Sequence, residues 1–177
     1  TQFGELQAAG DYFSTPNVVT TWGELDLRAR ITKNLLSNAS FVICKDTLSQ
    51  RSFSLYYYSS GRLYLDYWET DGTYRGIGST ASTFAGAVGE IVWVRVTLDT
   101  ATGDVKFYTA DGNLEAPAIS DYVQNGTTVN PAGGATSIKV STIPYLVGAL
   151  GFSTSSYPID GDIYRAQVYN EIDGTTP

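Results

Sequence analysis

The stretch from residue 90 to residue 108 constrains the fold more than any other part of this chain. Its sequence, EIVWVRVTLDTATGDVKFY, alternates apolar residues with polar or aromatic ones on both sides of a turn rich in Asp, Thr and Gly. Alternation with a period of two places one set of side chains on one face of a β-strand. Two such runs joined by a short turn predict a hairpin. The apolar positions of its first strand, which we predict to lie in the core, are Val92, Val94, Val96 and Leu98.

The rest of the chain predicts shorter strands and no helix. Residues 24–36 would also fit an amphipathic helix, but every second residue from Leu25 to Ile31 is apolar, so we interpret 24–32 as a strand. About ten to thirteen strands without crossover helices favour a two-sheet antiparallel sandwich. Besides the central pair, the predicted strands are 3–9, 12–13, 24–32, 41–45, 53–58, 63–68, 114–119, 139–140, 145–150 and 162–169, the last with a bulge near Arg165.

Residues 53–68 form a second clear hairpin, and the length of its loop decides which side chains share a face. A three-residue loop of Ser60, Gly61 and Arg62 keeps the Leu side chains on one face and the acidic and aromatic side chains on the other. A loop of two or four residues would mix Leu with Asp. We therefore predict the three-residue loop. The aromatic-polar face that results consists of Tyr56, Tyr58, Tyr64, Asp66 and Trp68.

Charge and composition restrict the partners. The formal net charge is -7, with 18 acidic and 11 basic residues and no His. An acidic surface repels nucleic-acid phosphate and anionic lipid, so we expect neither nucleic acid nor membrane as a partner. Without His the chain lacks the usual general base at neutral pH and the commonest metal ligand. Cys44, the one cysteine, lies in the apolar run FVIC and is expected to be buried.

The length of the sequence and its lack of Met bear on the organisation of the chain. With 177 residues we expect one domain that spans 1–177 and buries a substantial core. Because the sequence contains no Met, we expect it to be processed or to be part of a longer protein.

Several motifs, taken in order, resemble a known family. They are LQAAGDYFSTPN, GELDLRARI, RSFSLYYYSSGRLYLDYWETDG, WVRVTLDTATGDVKFYTADG and IDGDIYRAQVYNEIDGT. Together they resemble the laminin G-like branch of the concanavalin A-like lectin/glucanase domains, in the variant found in structural proteins of tailed bacteriophages. The resemblance implies an all-β, two-sheet antiparallel jelly-roll sandwich over nearly the whole chain. It also implies an extracellular place on the virion surface.

The function expected from this resemblance is non-enzymatic. We predict a domain on a tail, fibre or capsid appendage that adheres to host cell-surface carbohydrate, with many copies multiplying weak contacts. The alternative is a decoration or assembly domain that has no small ligand and contacts neighbouring virion proteins. A cellular lectin or adhesion domain, and a homo-oligomer, are left open.

The aromatic-polar face is the first candidate site. Sugars present apolar C–H faces ringed by hydroxyl groups, which aromatic rings flanked by carboxylates suit. The same rings would equally serve to cover the sheet, since Tyr is abundant throughout the chain. Trp93 and Arg95, on the side of the central strand away from the core, would either extend this face or pack beneath a loop.

The sequence contains two further candidate sites. Asp160 and Asp162, with the carbonyl groups of the loop before them, would supply oxygen ligands to Ca²⁺, which some members of the resembled family hold in rim loops. For catalysis, glucanases with this fold often carry a Glu-x-Asp-x-x-Glu strand. Here Glu24 and Asp26 match, but Ala29 stands in place of the third acid. We therefore expect no hydrolase activity.

Overall fold

Eleven β-strands make up nearly all the regular structure in the computed structural model, which describes residues 12–16, 21–32, 34, 39–81, 88–150, 159 and 161–175. The only helical segment in these ranges is a single 3-10 turn at Ile119–Asp121. The strands are β1 (Phe13–Ser14), β2 (Glu24–Thr32), β3 (Ser40–Asp46), β4 (Arg51–Tyr57), β5 (Leu63–Trp68), β6 (Tyr74–Gly78), β7 (Ile91–Asp99), β8 (Asp104–Asp111), β9 (Val123–Gln124), β10 (Leu146–Val147) and β11 (Ile163–Tyr169).

The strands form two antiparallel sheets. One has six strands in the order β1-β10-β3-β4-β5-β6, and the other has five in the order β11-β2-β7-β8-β9. Neighbours in a sheet are often distant in sequence, so each sheet pairs early strands of the described chain with late ones. The all-β, two-sheet architecture predicted from the alternation is confirmed. Within the described residues, no helix has the length and hydropathy needed to cross a membrane.

The core lies between the sheets and is built by the alternating residues of the longest strands. Val94, Val96 and Leu98 of β7 are fully buried, as are Val105 and Phe107 of β8. Side chains of this size each gain about 1.5–3 kcal/mol on full burial. The predicted strand over 24–32 is confirmed with the same bounds, and its apolar set enters this core.

The turn between β7 and β8 shows why this hairpin forms. The Asp99 side chain accepts hydrogen bonds from the backbone N–H groups of Ala101 and Thr102. Gly103 has a φ of 78°, a left-handed conformation that favours glycine. A Cβ at Gly103 would also collide with the carbonyl oxygen of Gly134, so the turn requires glycine for space as well.

The β4–β5 hairpin corrects one detail of the prediction and confirms the rest. The backbone N–H of Tyr58 donates to the carbonyl of Arg62, so the loop is residues 59–61 rather than Ser60, Gly61 and Arg62. Gly61 takes a φ of 73°, and a three-residue hairpin loop places such a left-handed glycine at its end. The pairing is shifted by two residues, which preserves the faces, so the predicted separation of Leu from the aromatic side chains is correct.

Several short strands were wrong or missed. Residues 114–119 and 139–140 are not strands, because Pro117 lacks a ladder donor and Lys139 makes a single backbone bond, from its N–H to the carbonyl of Trp68. Strand β6 was missed because its glycines lower strand propensity. The bulge in β11 is confirmed, between Ile163 and Arg165. Cys44 is buried and donates to the carbonyl of Ala149. The strand predicted at 3–9 lies outside the described residues.

A candidate glycan-binding groove on the outer face of the six-stranded sheet

The register of β4, β5 and β6 brings the predicted aromatic-polar residues together on the outer face of the six-stranded sheet. Tyr56 lies opposite Tyr64, and Ser54 lies opposite Asp66. Trp68 lies opposite Tyr74 of β6. Since the residues between them point into the core, this row is directed away from the second sheet.

Three of the predicted residues form a ring cluster. The rings of Tyr56 and Tyr64 are stacked with centroids 5.4 Å apart, and Tyr58 meets both edge to face, at 5.5 and 5.0 Å. Phe41 of β3 stacks on the other side of Tyr56, at 4.9 Å. Tyr56 is buried by this packing, whereas Tyr58 stays 41% exposed. The cluster covers the sheet and supports its neighbours, and Tyr58 is the member most open to solvent.

A groove opens beside the ring cluster and has a volume of about 270 Å³. Its apolar wall consists of Phe41, Trp68, Tyr74 and Leu150. Its polar residues are Asp46, Arg51, Ser54 and Asp66. We refer to these eight residues as the groove.

The accessible part of the apolar wall is an aromatic pair. The rings of Trp68 and Tyr74 lie 5.2 Å apart and are tilted by 45°. Tyr74 is 53% exposed and Trp68 is half-buried. The guanidinium of Arg51 lies over the Trp68 ring, 5.1 Å from its centroid. Flat apolar surface with polar groups at its edge is therefore available to a ligand.

The polar side of the groove carries two carboxyl groups with raised pKa values. Burial raises the pKa of Asp46 from 3.8 to about 7; nearby Arg51 opposes this rise and Asp66 adds to it. The Ser54 hydroxyl also lies close enough to oppose the rise, although it does not meet the geometry of a hydrogen bond to Asp46 Oδ1. Burial also raises the pKa of Asp66, against the hydrogen bonds that it receives from Tyr74 and Tyr56. Both groups ionise less readily here than in water, because the surroundings compensate their charge incompletely.

The hydrogen-bonding capacity of the groove is only partly used. The hydroxyl of Tyr56 donates to Asp66 Oδ1 at 3.1 Å. Among the described residues, Asp46 Oδ1 and Ser54 Oγ have no hydrogen-bond partner, although Asp46 is 2% exposed and Ser54 1% exposed. Buried polar atoms are usually paired. The groove thus combines stacking surface with polar groups that a hydroxyl- or amine-bearing ligand can satisfy.

Trp93 and Arg95 belong to the other sheet and do not extend the aromatic-polar face. Trp93 is fully buried, and its indole N–H donates to the carbonyl of Leu114 at 2.8 Å. The second of the two alternatives is therefore correct for Trp93, which packs beneath the segment that follows β8. Arg95 donates to Asp26 of β2 and to Asp173 in the segment that follows β11.

The acids of the glucanase-like strand are engaged in structural contacts. Asp26 is fully buried and bonded to Arg28 and Arg95. The Glu24 carboxylate accepts the backbone N–H of Ile172 at 2.7 Å.

Only one of the two predicted Ca²⁺ ligands is among the described residues. Asp160 lies outside the described residues. Asp162 is described, and the hydroxyl of Tyr164 lies 3.4 Å from its carboxylate. Within the described ranges no three Asp, Glu, His or Cys side chains come together as a metal site would require. The involvement of Asp160 and Asp162 stays a prediction.

Sequence reasoning identified only two of the eight groove residues, Asp66 and Trp68. Asp46 and Arg51 flank a turn between β3 and β4, where charged residues are unremarkable, and Tyr74 lies in the glycine-containing strand that was not predicted. One signal was present: Gly76 and Gly78 alternate opposite large side chains. A Cβ at Gly78 would come within 2.7 Å of the Tyr64 ring. Such glycines indicate that rings of the neighbouring strand lie across this edge strand.

Comparison with solved structures establishes the fold class. The LG4-5 domains of the mouse laminin alpha1 chain match with a TM-score of 0.61 and 16% identity, covering 94% of this chain and 40% of that one. The heptameric SAP-like pentraxin of Limulus polyphemus matches with a TM-score of 0.60 and 17% identity, over 96% of this chain and 75% of that one. The chain therefore has the laminin G-like, concanavalin A-like jelly-roll fold.

A third similar structure is a complex with a sugar. The CBM40 domain of the Ruminococcus gnavus IT-sialidase, bound to alpha2,3 sialyllactose, matches with a TM-score of 0.57 and 13% identity, over 93% of both chains. Identities this low establish the fold and not the ligand. No protein-family profile matches the sequence, and comparison with curated proteins finds no match.

Proposed function

We propose that this domain is a non-enzymatic glycan-binding module and that the groove on the six-stranded sheet is its binding site. We further propose that the module is displayed on a bacteriophage virion, on a tail, fibre or capsid appendage, where it adheres to carbohydrate of the host cell surface. Weak contacts at single sites would be multiplied by the number of copies on the particle.

One observation carries the proposal: an open groove joins the Trp68–Tyr74 pair to Asp46, Ser54 and Asp66. A sugar ring stacks an apolar face on an aromatic side chain and directs its hydroxyl groups sideways. Here carboxylate and hydroxyl oxygens lie at the side of the rings. The ring cluster of Tyr56, Tyr58 and Tyr64 would hold the groove in shape.

The similar structures support the glycan part of the proposal, since one of them is a carbohydrate-binding domain in complex with sialyllactose. The bacteriophage part rests on the sequence motifs that resemble tailed-phage structural proteins. The two parts therefore need separate tests.

A glycan array tests the binding. The domain should be displayed multivalently, with and without Ca²⁺, and compared with Trp68→Ala at the same density. Loss of the indole should weaken binding by about 2 kcal/mol, roughly 30-fold, as is typical of an aromatic hot spot. The melting temperature should change little, because Trp68 is half-buried on the outer face. Tyr12→Ala, which removes an exposed ring outside the groove, is the matched control.

Different results separate the alternatives. If the multivalent domain binds no glycan on the array, the decoration or assembly domain is favoured. Its exposed Tyr58 and Tyr74 would then contact neighbouring proteins. A requirement for Ca²⁺ would direct attention to Asp162 and the loop before it.

Antibodies test the virion assignment. Antibodies raised against the domain should label virions by immunogold electron microscopy. Isolated domain should compete with adsorption of the phage to its host. Absence of labelling on particles that contain the chain would refute surface display.

A further inference from the structure

The charges in the groove do not cancel when both of its carboxyl groups are ionised. Two carboxyl groups, Asp46 and Asp66, face one guanidinium, Arg51. Arg51 Nε lies 3.8 Å from Asp46 Oδ1, and the Arg51 side chain is 37% exposed. This distance exceeds that of a charge-assisted hydrogen bond, and water partly screens the attraction between the two groups. A negative charge on Asp46 is therefore compensated only weakly.

The groups that face Asp46 come from three strands. Arg51 of β4 attracts a negative charge, and Asp66 of β5 repels it. Beyond these, Tyr56 of β4 and Tyr74 of β6 are engaged with Asp66. Asp46 Oδ1 and Ser54 Oγ, both nearly fully buried, lack a hydrogen-bond partner among the described residues. Asp46 Oδ1 therefore lacks a hydrogen-bond donor, and its charge is only weakly compensated by Arg51.

A protonated amine supplies both a donor and a positive charge. An ammonium group carries one positive charge and three N–H donors, and it also interacts favourably with the faces of Trp and Tyr rings. A hard divalent cation fits less well, because Ca²⁺ requires six to eight oxygen ligands and no trio of metal-binding side chains occurs in the described ranges. An acidic sugar would bring a third negative group to Asp46 and Asp66.

We propose that the groove selects sugars that carry a protonated amino group over the same sugars in N-acetylated or carboxylated form. This inference rests on the proposed function, because it assigns a ligand class to the same site. The amino group would lie between Asp46 and Asp66, and the sugar ring would lie against Trp68.

Matched sugars provide the test. The glucosamine trimer and the N-acetylglucosamine trimer have the same backbone, but the nitrogen is an ionisable amine in the first and a neutral, bulkier acetamide in the second. Calorimetry at pH 7 should show binding of the glucosamine trimer stronger by on the order of tenfold. The same preference should appear on the array for each other amino sugar compared with its N-acetyl form.

Two variants assign the preference to the groove. Asp46→Asn keeps the shape of the side chain and removes its charge, so it should reduce the preference severalfold while the protein stays folded. Glu115→Gln also removes one negative charge, but from an exposed residue after β8, and should leave the preference unchanged. The preference of the unmodified protein should also decrease at pH 5, where Asp46 is protonated.

The outcomes separate this inference from the proposed function. Equal binding of the two trimers, stronger binding of an N-acetylated or acidic sugar, or a preference unaffected by Asp46→Asn would overturn the selection for amines and leave glycan binding standing. Silence of every sugar on the array would overturn both.

Discussion

The outer faces of the two sheets both carry buried charged residues, but the number of hydrogen-bond partners of these residues differs between the two faces. On the five-stranded sheet, Asp26 is fully buried and accepts two hydrogen bonds from Arg95, at 2.9 and 2.7 Å. It accepts two more from Arg28 and one from the backbone N–H of Asp173. On the six-stranded sheet, Asp46 is nearly as buried and has one weak ion pair, with Arg51.

We interpret the difference as one between a structural site and the proposed binding site. The Asp26 cluster fixes the segment after β11, because Asp173 also bonds Arg95 and the Gly174 carbonyl accepts from Arg28. Its polar groups have their partners within the chain, and it contributes to the stability of the fold. In the groove, buried polar atoms without partners raise the free energy of the unliganded protein, which a ligand can recover on binding.

Removal of Arg95 should produce the largest effect. Arg95→Met leaves the buried carboxylate of Asp26 with fewer partners, and breaking such a pair costs about 3–5 kcal/mol. Urea denaturation followed by circular dichroism measures this loss. Sugar affinity of the folded fraction should not change. A destabilisation below about 1 kcal/mol would show that the cluster is not structural.

The two tryptophans on opposite outer faces should behave differently. Trp93→Ala removes a fully buried ring and its hydrogen bond to Leu114, and should cost about 3–5 kcal/mol of stability. Trp68→Ala should instead reduce binding and leave stability nearly unchanged. Thermal melts and calorimetry on both variants check this contrast. Equal destabilisation by the two substitutions would place Trp68 in a structural role.

Asp46→Asn should stabilise the protein at high pH. The pKa of Asp46 is about 7 in the folded protein and 3.8 ordinarily, so folding disfavours its ionised form. The cost is absent below pH 4, grows as the pH rises towards 7, and is complete above pH 7. Because water in the open groove screens the charge, we expect Asp46→Asn to stabilise the protein by only about 1 kcal/mol at pH 8. This corresponds to a rise of about 2–4 °C in melting temperature. No gain should be seen at pH 4.

The control for this pH dependence lies in the Asp26 cluster. Asp26→Asn should destabilise the protein at pH 8, because it weakens the pairing with Arg28 and Arg95. If Asp46→Asn also lowered the melting temperature at pH 8, the Asp46 carboxylate would be a paired structural group, contrary to this account.

Tyr56→Phe should have a similarly small effect on stability. It removes the hydroxyl that donates to Asp66 and keeps the stacked ring, so stability should fall by about 0.5–1.5 kcal/mol. The pKa of Asp66 should rise further, because one hydrogen bond to its ionised form is lost. Carbon-detected NMR titration of the Asp66 carboxyl group measures this change. An unchanged pKa would mean that the hydrogen bond is not made in solution.

Sequence patterns predicted the parts of this molecule that depend on alternation. The central hairpin, the strand at 24–32 and the two faces of the 53–68 hairpin follow from side chains with a period of two, which the pleated strand imposes. The alternation does not predict that β3 and β6 pair with the two strands of the 53–68 hairpin. Asp46 enters the groove through the pairing of β3 with β4, which contains two register shifts, and Tyr74 through the pairing of β5 with β6, whose second strand the alternation did not predict.

The most direct test of the central claim uses the three tryptophans as internal reporters. Each indole N–H gives one resonance in a ¹H–¹⁵N correlation spectrum. A sugar that binds on the array can be added until the site is saturated. We expect the Trp68 resonance to shift, while Trp22 and Trp93, buried in the core and beneath the segment after β8, stay in place. Saturation with a bound sugar that leaves Trp68 unshifted would contradict the placement of the site in the groove.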